Sequence, residues 1–175
     1  LDHRGGLESL EEKYPSTELV VDNVKFYHRG ENCHQYPEWN WDGVAFRFLA
    51  IKQAFRDKNN SSCVLQISAN DKTILLTGDI EKLAEHYLVN TYQNQLAANT
   101  LIVAHHGSKT SSSPDFIKAI SLQFAIISSG FDNRYHFPNQ QTLTTLADFN
   151  IKIFNTATCG MVTYVLNSNK LALPS

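Results

Sequence analysis

Two adjacent histidines, His105 and His106, end a short apolar run and are followed at once by a glycine. A buried strand that delivers imidazoles to its carboxyl edge, with a tight turn behind them, suits a metal site. Neighbouring side chains on an extended strand point to opposite faces, so both reach one site only if the strand has ended and the backbone has turned. The alternative is one core histidine and one surface histidine.

A carboxylate holds a matching position earlier in the chain. Asp79 follows the apolar stretch 73–77 and a glycine, so its side chain is expected to project from the end of a second strand. Asp2 and His3, at the start of the chain, add a carboxylate and an imidazole. The alternative for Asp79 is that it caps the helix expected from Ile80, because aspartate accepts hydrogen bonds from the first backbone N–H groups of a helix.

A polar loop, 108–113, follows the histidines and is rich in hydroxyl groups. Ser108 and Lys109 suit phosphate binding together with backbone N–H groups. A solvated loop without such a role is the alternative.

A second polar loop, 129–139, follows the next expected strand. If the strands are parallel, this loop lies at the same edge of the sheet as the histidines. Arg134 and Tyr135 then suit contact with a phosphate or a base. Asn139 is expected to cap the following helix rather than to act in catalysis.

Composition favours one soluble domain with a sizeable core, since the chain has 175 residues and 42% of them are hydrophobic. The net charge of -2 gives no bulk support for a nucleic-acid partner, and no apolar run reaches the roughly 20 residues that cross a bilayer. Cys33, Cys63 and Cys159 lack CxxC spacing, which argues against a zinc knuckle. A buried free thiol is the simplest interpretation of each, and at most one internal disulfide is possible.

The pattern of apolar residues predicts a β-meander in the first half of the chain and alternating strands and helices in the second, hence a sheet with at least one face covered by helices. Segment 52–62 is expected to be polar and mobile. The expected helices are 7–13, 80–98, 114–120 and 140–149. The expected strands are 18–21, 24–27, 43–49, 63–67, 73–77, 101–104, 124–128, 152–154 and 161–166.

The ordered motifs resemble the metallo-β-lactamase-like domain of the ComEC/Rec2 family, inner-membrane channel proteins of natural competence. The matching strings are DHRGGL at 2–7, TGD at 77–79, HHGSKTSSSP at 105–114, and NRY at 133–135 followed by FP at 137–138. The segments 39–44 and 60–65 are also similar, so the resemblance covers essentially the whole chain.

The resemblance implies an α/β fold of the αββα type, with two sheets between helices and metal at one edge. Residues 1–175 are then a single domain comprising about the C-terminal two-thirds of that fold, with the N-terminal strands missing. It implies divalent metal, Mn²⁺ or Zn²⁺, held by Asp2, His3, Asp79 and His106. Further ligands would lie upstream, and Asn59 and Asn60 occupy the region where related enzymes have a histidine, so this chain is expected to bind metal weakly or not at all and to be inactive.

The function implied is a metal-dependent phosphodiesterase or nuclease that degrades the non-transforming DNA strand during uptake. The catalytic candidates are Asp2, His105, Lys109 and Arg134. The candidates for substrate binding are Ser108, Lys109, Asn133, Arg134 and Tyr135. One alternative is a non-catalytic DNA-contacting or scaffolding module of the same membrane protein; another is a stand-alone hydrolase of this fold acting on a different phosphodiester or a lipid amide.

The implied partners are the incoming single DNA strand and the channel domain of the same polypeptide, and exposed strand edges would allow self-association. The implied location is the periplasmic side of a bacterial inner membrane. In that oxidising compartment a disulfide between Cys33 and Cys63 is chemically permitted.

Overall fold

The computed structural model describes residues 5–166 and the backbone of residues 171–172. The chain opens with helix α1 (Leu7–Lys13), which confirms the predicted helix, and continues through strand β1 (Val20–Val21), helix α2 (Val24–Tyr27) and strand β2 (Glu31–Asn32). The prediction of a strand at 24–27 is wrong. The side chain of Asn23 accepts a hydrogen bond from the backbone N–H of Phe26, and this cap starts a helical turn there.

Seven strands form one mixed sheet with the order β3-β4-β5-β6-β7-β8-β9. They span Trp39–Trp41 (β3), Val44–Phe48 (β4), Leu65–Ala69 (β5), Lys72–Leu76 (β6), Thr100–Ile102 (β7), Phe124–Ile127 (β8) and Lys152–Asn155 (β9). From β3 to β6 the pairing is antiparallel, and from β6 to β9 it is parallel. The α/β fold class and the change from meander to β/α units are confirmed.

Helices connect the parallel strands: α3 (Lys82–Tyr92), α4 (Pro114–Ile120) and α5 (Gln140–Asp148). Asn139 caps α5, as predicted, by accepting a hydrogen bond from the backbone N–H of Gln141. Crossovers between parallel strands are almost always right-handed, and these strands follow one another in order, so the three helices lie on the same face of the sheet. Past β9 come a short helix, α6 (Thr156–Cys159), and a separate antiparallel pair, β10 (Thr163–Tyr164) with β11 (Leu171–Ala172).

The helix-covered face of the sheet carries the core. Leu75, Leu101 and Ala125 are register partners on adjacent strands and are fully buried. They belong to one apolar cluster with helix residues that include Leu88 and Phe116. Burial of these side chains is the main force that fixes the order of the parallel strands.

The opposite face is apolar but only half-buried. Phe46, Ile67 and Ile74 are register partners across three strands, and each retains partial exposure. Trp39 stacks on Phe46 with ring centroids 4.9 Å apart, which extends this apolar row to the β3 edge. The two faces of the sheet therefore differ in burial, although both are apolar in its centre.

A disulfide joins Cys33 to Cys63. The interpretation of these two cysteines as free thiols is wrong, whereas Cys159 is free. His34 reinforces the same connection, since its Nε2 lies 3.0 Å from the carbonyl oxygen of Ser61. Segment 52–62 also contains a 3₁₀ turn at Lys58–Ser61 that the sequence analysis does not predict, and this turn places Asn60 in the interior.

Candidate metal centre

The two histidines lie in a turn that begins just after β7 ends at Ile102. His105, His106 and Gly107 have φ angles of 50°, 55° and 82°, so three successive residues adopt the left-handed conformation. This conformation costs an ordinary residue about 1–2 kcal/mol and is often found at functional sites. The strand has ended and the backbone has turned, which is the condition under which both imidazoles reach one edge of the sheet. The alternative of one core and one surface histidine is wrong, because both side chains are half-buried, each beside a different carboxylate.

His106 faces Asp79. Its Nε2 lies 3.8 Å from Oδ1 of Asp79, and its Nδ1 lies 2.8 Å from the carbonyl oxygen of Ser128. The carbonyl can only accept a hydrogen bond, so Nδ1 carries a proton, and in the neutral imidazole the lone pair is then on Nε2, on the side of Asp79. This is the tautomer that a metal ligand requires, and the carbonyl orients the ring as outer partners of ligating histidines do.

Asp79 is fixed by the turn before it and by a neighbouring loop. Its backbone N–H donates a hydrogen bond of 3.2 Å to the hydroxyl of Ser62. Gly78 has φ of 53°, and a Cβ at this position would lie 2.9 Å from Cβ of Ser62. The glycine therefore permits the close approach of the two loops. Asp79 does not cap helix α3, which begins at Lys82, so the capping alternative is wrong.

His105 faces a second carboxylate, Glu81. Its Nδ1 lies 3.3 Å from Oε1 of Glu81, and that oxygen also accepts a hydrogen bond of 2.7 Å from the hydroxyl of Thr110. Nδ1 is buried and makes no aligned hydrogen bond to the described residues, so the contact with Glu81 is electrostatic. His105 is thus held by a carboxylate that the sequence analysis did not select.

Asn60 performs the capping that was considered for Asp79. Its Oδ1 accepts hydrogen bonds of 3.0 and 3.1 Å from the backbone N–H groups of Glu81 and Ala84 at the start of α3. Asn60 is 1% exposed. The absence of a histidine at this position therefore reflects a structural role for the amide.

Glu85 anchors the loop that follows the histidines. This fully buried carboxylate accepts hydrogen bonds from the backbone N–H groups of Ser112 and Ser113. Burial raises the pKa of Glu85, while the hydrogen bonds from Ser113 and Ser112 and the charge of Lys82 oppose that shift. The loop 108–113 is therefore anchored at its end by a buried side chain of helix α3.

The predicted phosphate-binding residues of this first loop have different environments. Ser108 is buried, and its hydroxyl lies 3.0 Å from that of Thr110, which favours a structural role. Lys109 is exposed at the surface of the loop.

In the second loop, 129–139, the side chain of Asn133 forms hydrogen bonds with the loop's own backbone. It accepts a hydrogen bond of 2.8 Å from the N–H of Phe137 and donates bonds of 2.7 and 3.0 Å to the carbonyls of Phe137 and Gly130. Arg134 and Tyr135 remain exposed, and they contact each other through a hydrogen bond and a cation–π interaction.

Asp2 and His3 lie outside the described residues, so their predicted roles as ligands, and that of Asp2 in catalysis, stay predictions. Within residues 5–166, no group of three or more histidine, cysteine or acidic side chains is arranged to hold a metal ion. The described part of the site therefore supplies two donors, Asp79 and His106.

No helix within the described residues is long and apolar enough to span a bilayer.

Comparison with known proteins identifies relatives over most of the chain. The chain is 34% identical to competence protein ComA of Neisseria gonorrhoeae, over 94% of this chain and 24% of that protein. It is 34% identical to recombination protein 2 of Haemophilus influenzae, over 92% and 20% of the two lengths. It is 41% identical to ComE operon protein 3 of Bacillus subtilis, over 61% and 14%.

The chain is homologous to a segment of these competence proteins. It spans about a quarter of their length or less. The resemblance inferred from the motifs is thereby confirmed. No family model matches the chain. A solved structure of a metallo-β-lactamase superfamily protein from Thermotoga maritima aligns with 79% of this chain and 74% of its own, at 11% identity and a TM-score of 0.38.

Proposed function

We propose that this chain forms part of a metal-dependent phosphodiesterase that acts on DNA during competence uptake. The observation that carries the proposal is the pairing of Asp79 with His106 at the carboxyl ends of two adjacent parallel strands. Relatives named for competence and recombination support DNA as the substrate.

The two donors suit a divalent cation. Nε2 of His106 lies 3.8 Å from Oδ1 of Asp79, a few tenths of an ångström more than the roughly 3.4 Å that separates two donors of one tetrahedral Zn²⁺ ion. Imidazole suits Zn²⁺ and carboxylate suits Mn²⁺, and Asp2 and His3 are the proposed further ligands. When bound, such an ion lowers the pKa of its water and stabilises charge on a phosphate.

The other residues act on the substrate and on the ligands. Lys109 and Arg134 are exposed cations on the two loops beside the site and are proposed to neutralise phosphate charge. His105 is proposed to donate a hydrogen bond or a proton to the phosphate, with Glu81 and Thr110 fixing the ring.

The Cys33–Cys63 disulfide supports a location outside the cytoplasm, because disulfides persist in oxidising compartments. We therefore propose the periplasmic side of the inner membrane, with the channel domain of the same polypeptide and the incoming single strand as partners. Residues 1–175 are proposed to be one domain.

A non-catalytic DNA-contacting or scaffolding module is the second candidate. It is favoured by the structural use of Asn60, which caps helix α3 in the region where related enzymes have a histidine. In this case Asp79 and His106 would serve the fold alone.

The test measures hydrolysis of labelled single-stranded DNA with Mn²⁺ or Zn²⁺ by the full-length polypeptide that contains this chain. We expect Asp79→Ala and His106→Ala each to lower the rate at least about 100-fold, since even outer partners of a metal cost 10- to 100-fold. Tyr14→Ala, an exposed and remote change, is the control. Equal rates in the wild type and Asp79→Ala would reject the phosphodiesterase and favour the scaffolding module.

A further inference from the structure

A pocket of about 330 Å³ opens directly beside His106. It is lined by three residues with rings, His106, Tyr135 and Phe137, and by Asn133 and the stretch 128–130. The volume is within the range of small-ligand sites. Because His106 lines this pocket and also faces Asp79, a group bound here is adjacent to the candidate metal centre.

Phe137 is nearly parallel to each of the other two rings that line this pocket. Tyr135 and Phe137 have centroids 5.5 Å apart and an interplanar angle of 21°, and Phe137 and His106 have centroids 6.4 Å apart and an angle of 23°. A flat aromatic ligand in this pocket can pack against the face or the edge of a ring that lines it, and offset stacking and edge-to-face contact are the arrangements that aromatic groups prefer.

The loop that carries the rings is held rigidly. Asn133 bonds to both backbone groups of Phe137, and the backbone N–H of Asn139 donates a bond of 2.8 Å to the carbonyl of Gly107. A Cβ at Gly107 would lie 2.6 Å from Cβ of Pro138, so the histidine turn and this loop are in direct contact. The ring positions are therefore set by the same backbone that sets His106, and little ordering is required on binding.

A cation lies at the outer end of the ring column. The guanidinium of Arg134 is 4.6 Å from the centroid of the Tyr135 ring, and the Tyr135 side chain is 58% exposed. Rings next to an exposed cation match the chemistry of a nucleotide, whose base stacks while its phosphate pairs with the cation.

We propose that the pocket lined by His106, Tyr135 and Phe137 holds one nucleobase of a single-stranded nucleic acid, and so places the adjoining phosphate at Asp79 and His106. The inference rests on the proposed function and adds to it the group that positions the strand. A base in a duplex is stacked and paired, so it reaches this pocket only from a single strand. The site thereby selects single strands by their bases rather than by charge.

The test compares three fluorescent ligands in an anisotropy titration: oligo(dT), an abasic strand with the same number of phosphates, and a duplex. We expect wild type to bind oligo(dT) more tightly than either of the others. Tyr135→Ala is expected to weaken binding of oligo(dT) roughly 5- to 100-fold, the usual effect of losing one stacked base. It should leave the affinity for the abasic strand unchanged.

Three further variants control for folding, for loss of an exposed ring and for charge. Tyr135→Phe retains the ring and should bind as wild type does, and Phe131→Ala removes a more exposed ring outside the pocket and should have no effect. Arg134→Ala should weaken binding of both strands, because it removes a phosphate contact.

The result separates this inference from the proposed function. Equal affinity of wild type for oligo(dT) and the abasic strand, or an unchanged affinity in Tyr135→Ala, would overturn the base pocket, even if DNA hydrolysis still depended on Asp79. Base-dependent binding in a protein whose Asp79→Ala variant hydrolyses DNA normally would support the pocket while rejecting the metal-dependent phosphodiesterase.

Discussion

The carboxylate of Glu81 lies between His105 and Thr110, with the same oxygen 3.3 Å from Nδ1 of the histidine and 2.7 Å from the threonine hydroxyl. Both contacts are made by one atom, and the Glu81 side chain is only 18% exposed. The loop that follows the histidines is thereby connected to the start of helix α3 close to the candidate site.

Replacing Glu81 by alanine should lower the free energy of unfolding by about 1–2 kcal/mol, since a partly buried hydrogen bond to a charged group is lost. Thr110→Val removes the hydroxyl that donates this hydrogen bond to Glu81. The double variant should therefore cost less than the sum of the two single changes, by at least about 0.5 kcal/mol. Denaturant unfolding of all four proteins measures this coupling.

An exposed glutamate on α1 provides the matched control. Glu12→Ala should change the free energy of unfolding by less than about 0.5 kcal/mol and should be additive with Thr110→Val. Full additivity between Glu81→Ala and Thr110→Val would show that the hydroxyl–carboxylate bond contributes nothing.

The Cys33–Cys63 disulfide closes a separation of 30 residues. Reducing it, or replacing both cysteines by serine, should lower the free energy of unfolding by about 3–4 kcal/mol, because the unfolded chain regains the entropy that the crosslink removes. Denaturant unfolding with and without reductant measures the loss, and thiol alkylation followed by mass measurement reports the bond itself.

Cys159 supplies the control for the reductant. This residue is a free thiol, so Cys159→Ser should leave the dependence on reductant unchanged. Modification of all three thiols by an alkylating reagent in the folded, non-reduced protein would contradict the disulfide.

Much of the sheet followed from the sequence because its strands are apolar runs bounded by turn residues. Helix α4 was predicted at its observed bounds, Pro114–Ile120, since proline marks its first turn and apolar side chains repeat at helical spacing. The stretch 24–27 was misassigned, because four residues carry too little periodicity to outweigh an asparagine cap.

The candidate site was only half predictable. The proximity of Asp79 to the histidine pair was predictable, because a charged or ligating side chain at the end of an apolar strand has a recognisable pattern, whereas the choice of His106 over His105 came from the resemblance. Glu81 was missed, since its partner His105 lies 24 residues away and only the left-handed turn brings them together. The position of Glu81, two residues after Asp79, was the one local signal that could have indicated it.

The buried carboxylate of Glu85 should make stability depend on pH. Burial raises its pKa in the folded protein above the ordinary value of 4.5 that applies to the unfolded chain. Between these two pKa values the folded state binds more protons than the unfolded state, so the free energy of unfolding falls as the pH rises through this window. Glu85→Gln cannot ionise and should lack this fall.

Urea unfolding at a series of pH values from about 4 upward measures the free energy of unfolding of wild type and of Glu85→Gln, and hence the difference between them. As the pH rises from 4.5 towards the pKa of Glu85 in the folded protein, the free energy of unfolding of wild type should fall relative to that of Glu85→Gln. Above that pKa the difference should be constant. Glu12→Gln, at an exposed position, serves as the control and should follow the wild type throughout. If the free energy of unfolding of wild type instead rises relative to that of Glu85→Gln over that range, the hydrogen bonds from Ser112 and Ser113 lower the pKa of Glu85 by more than burial raises it.

The half-buried face of the sheet should make this chain associate or bind apolar dyes. Phe46, Ile67 and Ile74 form a continuous apolar row there, and apolar patches of this kind mark interaction surfaces. Ile67→Thr combined with Ile74→Thr keeps β-branched side chains in the strands and should reduce both dye fluorescence and self-association. Sedimentation velocity and an apolar fluorescent dye provide the measurements.

The residue next to Ile74 provides a control on the other face of the same strand. Leu75 is fully buried against the helices, so Leu75→Thr should lower the free energy of unfolding by several kcal/mol through the loss of core packing. The double variant at Ile67 and Ile74 should cost less than this, because those side chains are already partly exposed. If the double variant unfolds as readily as Leu75→Thr, the face is a core rather than a surface, and the expected association has another origin.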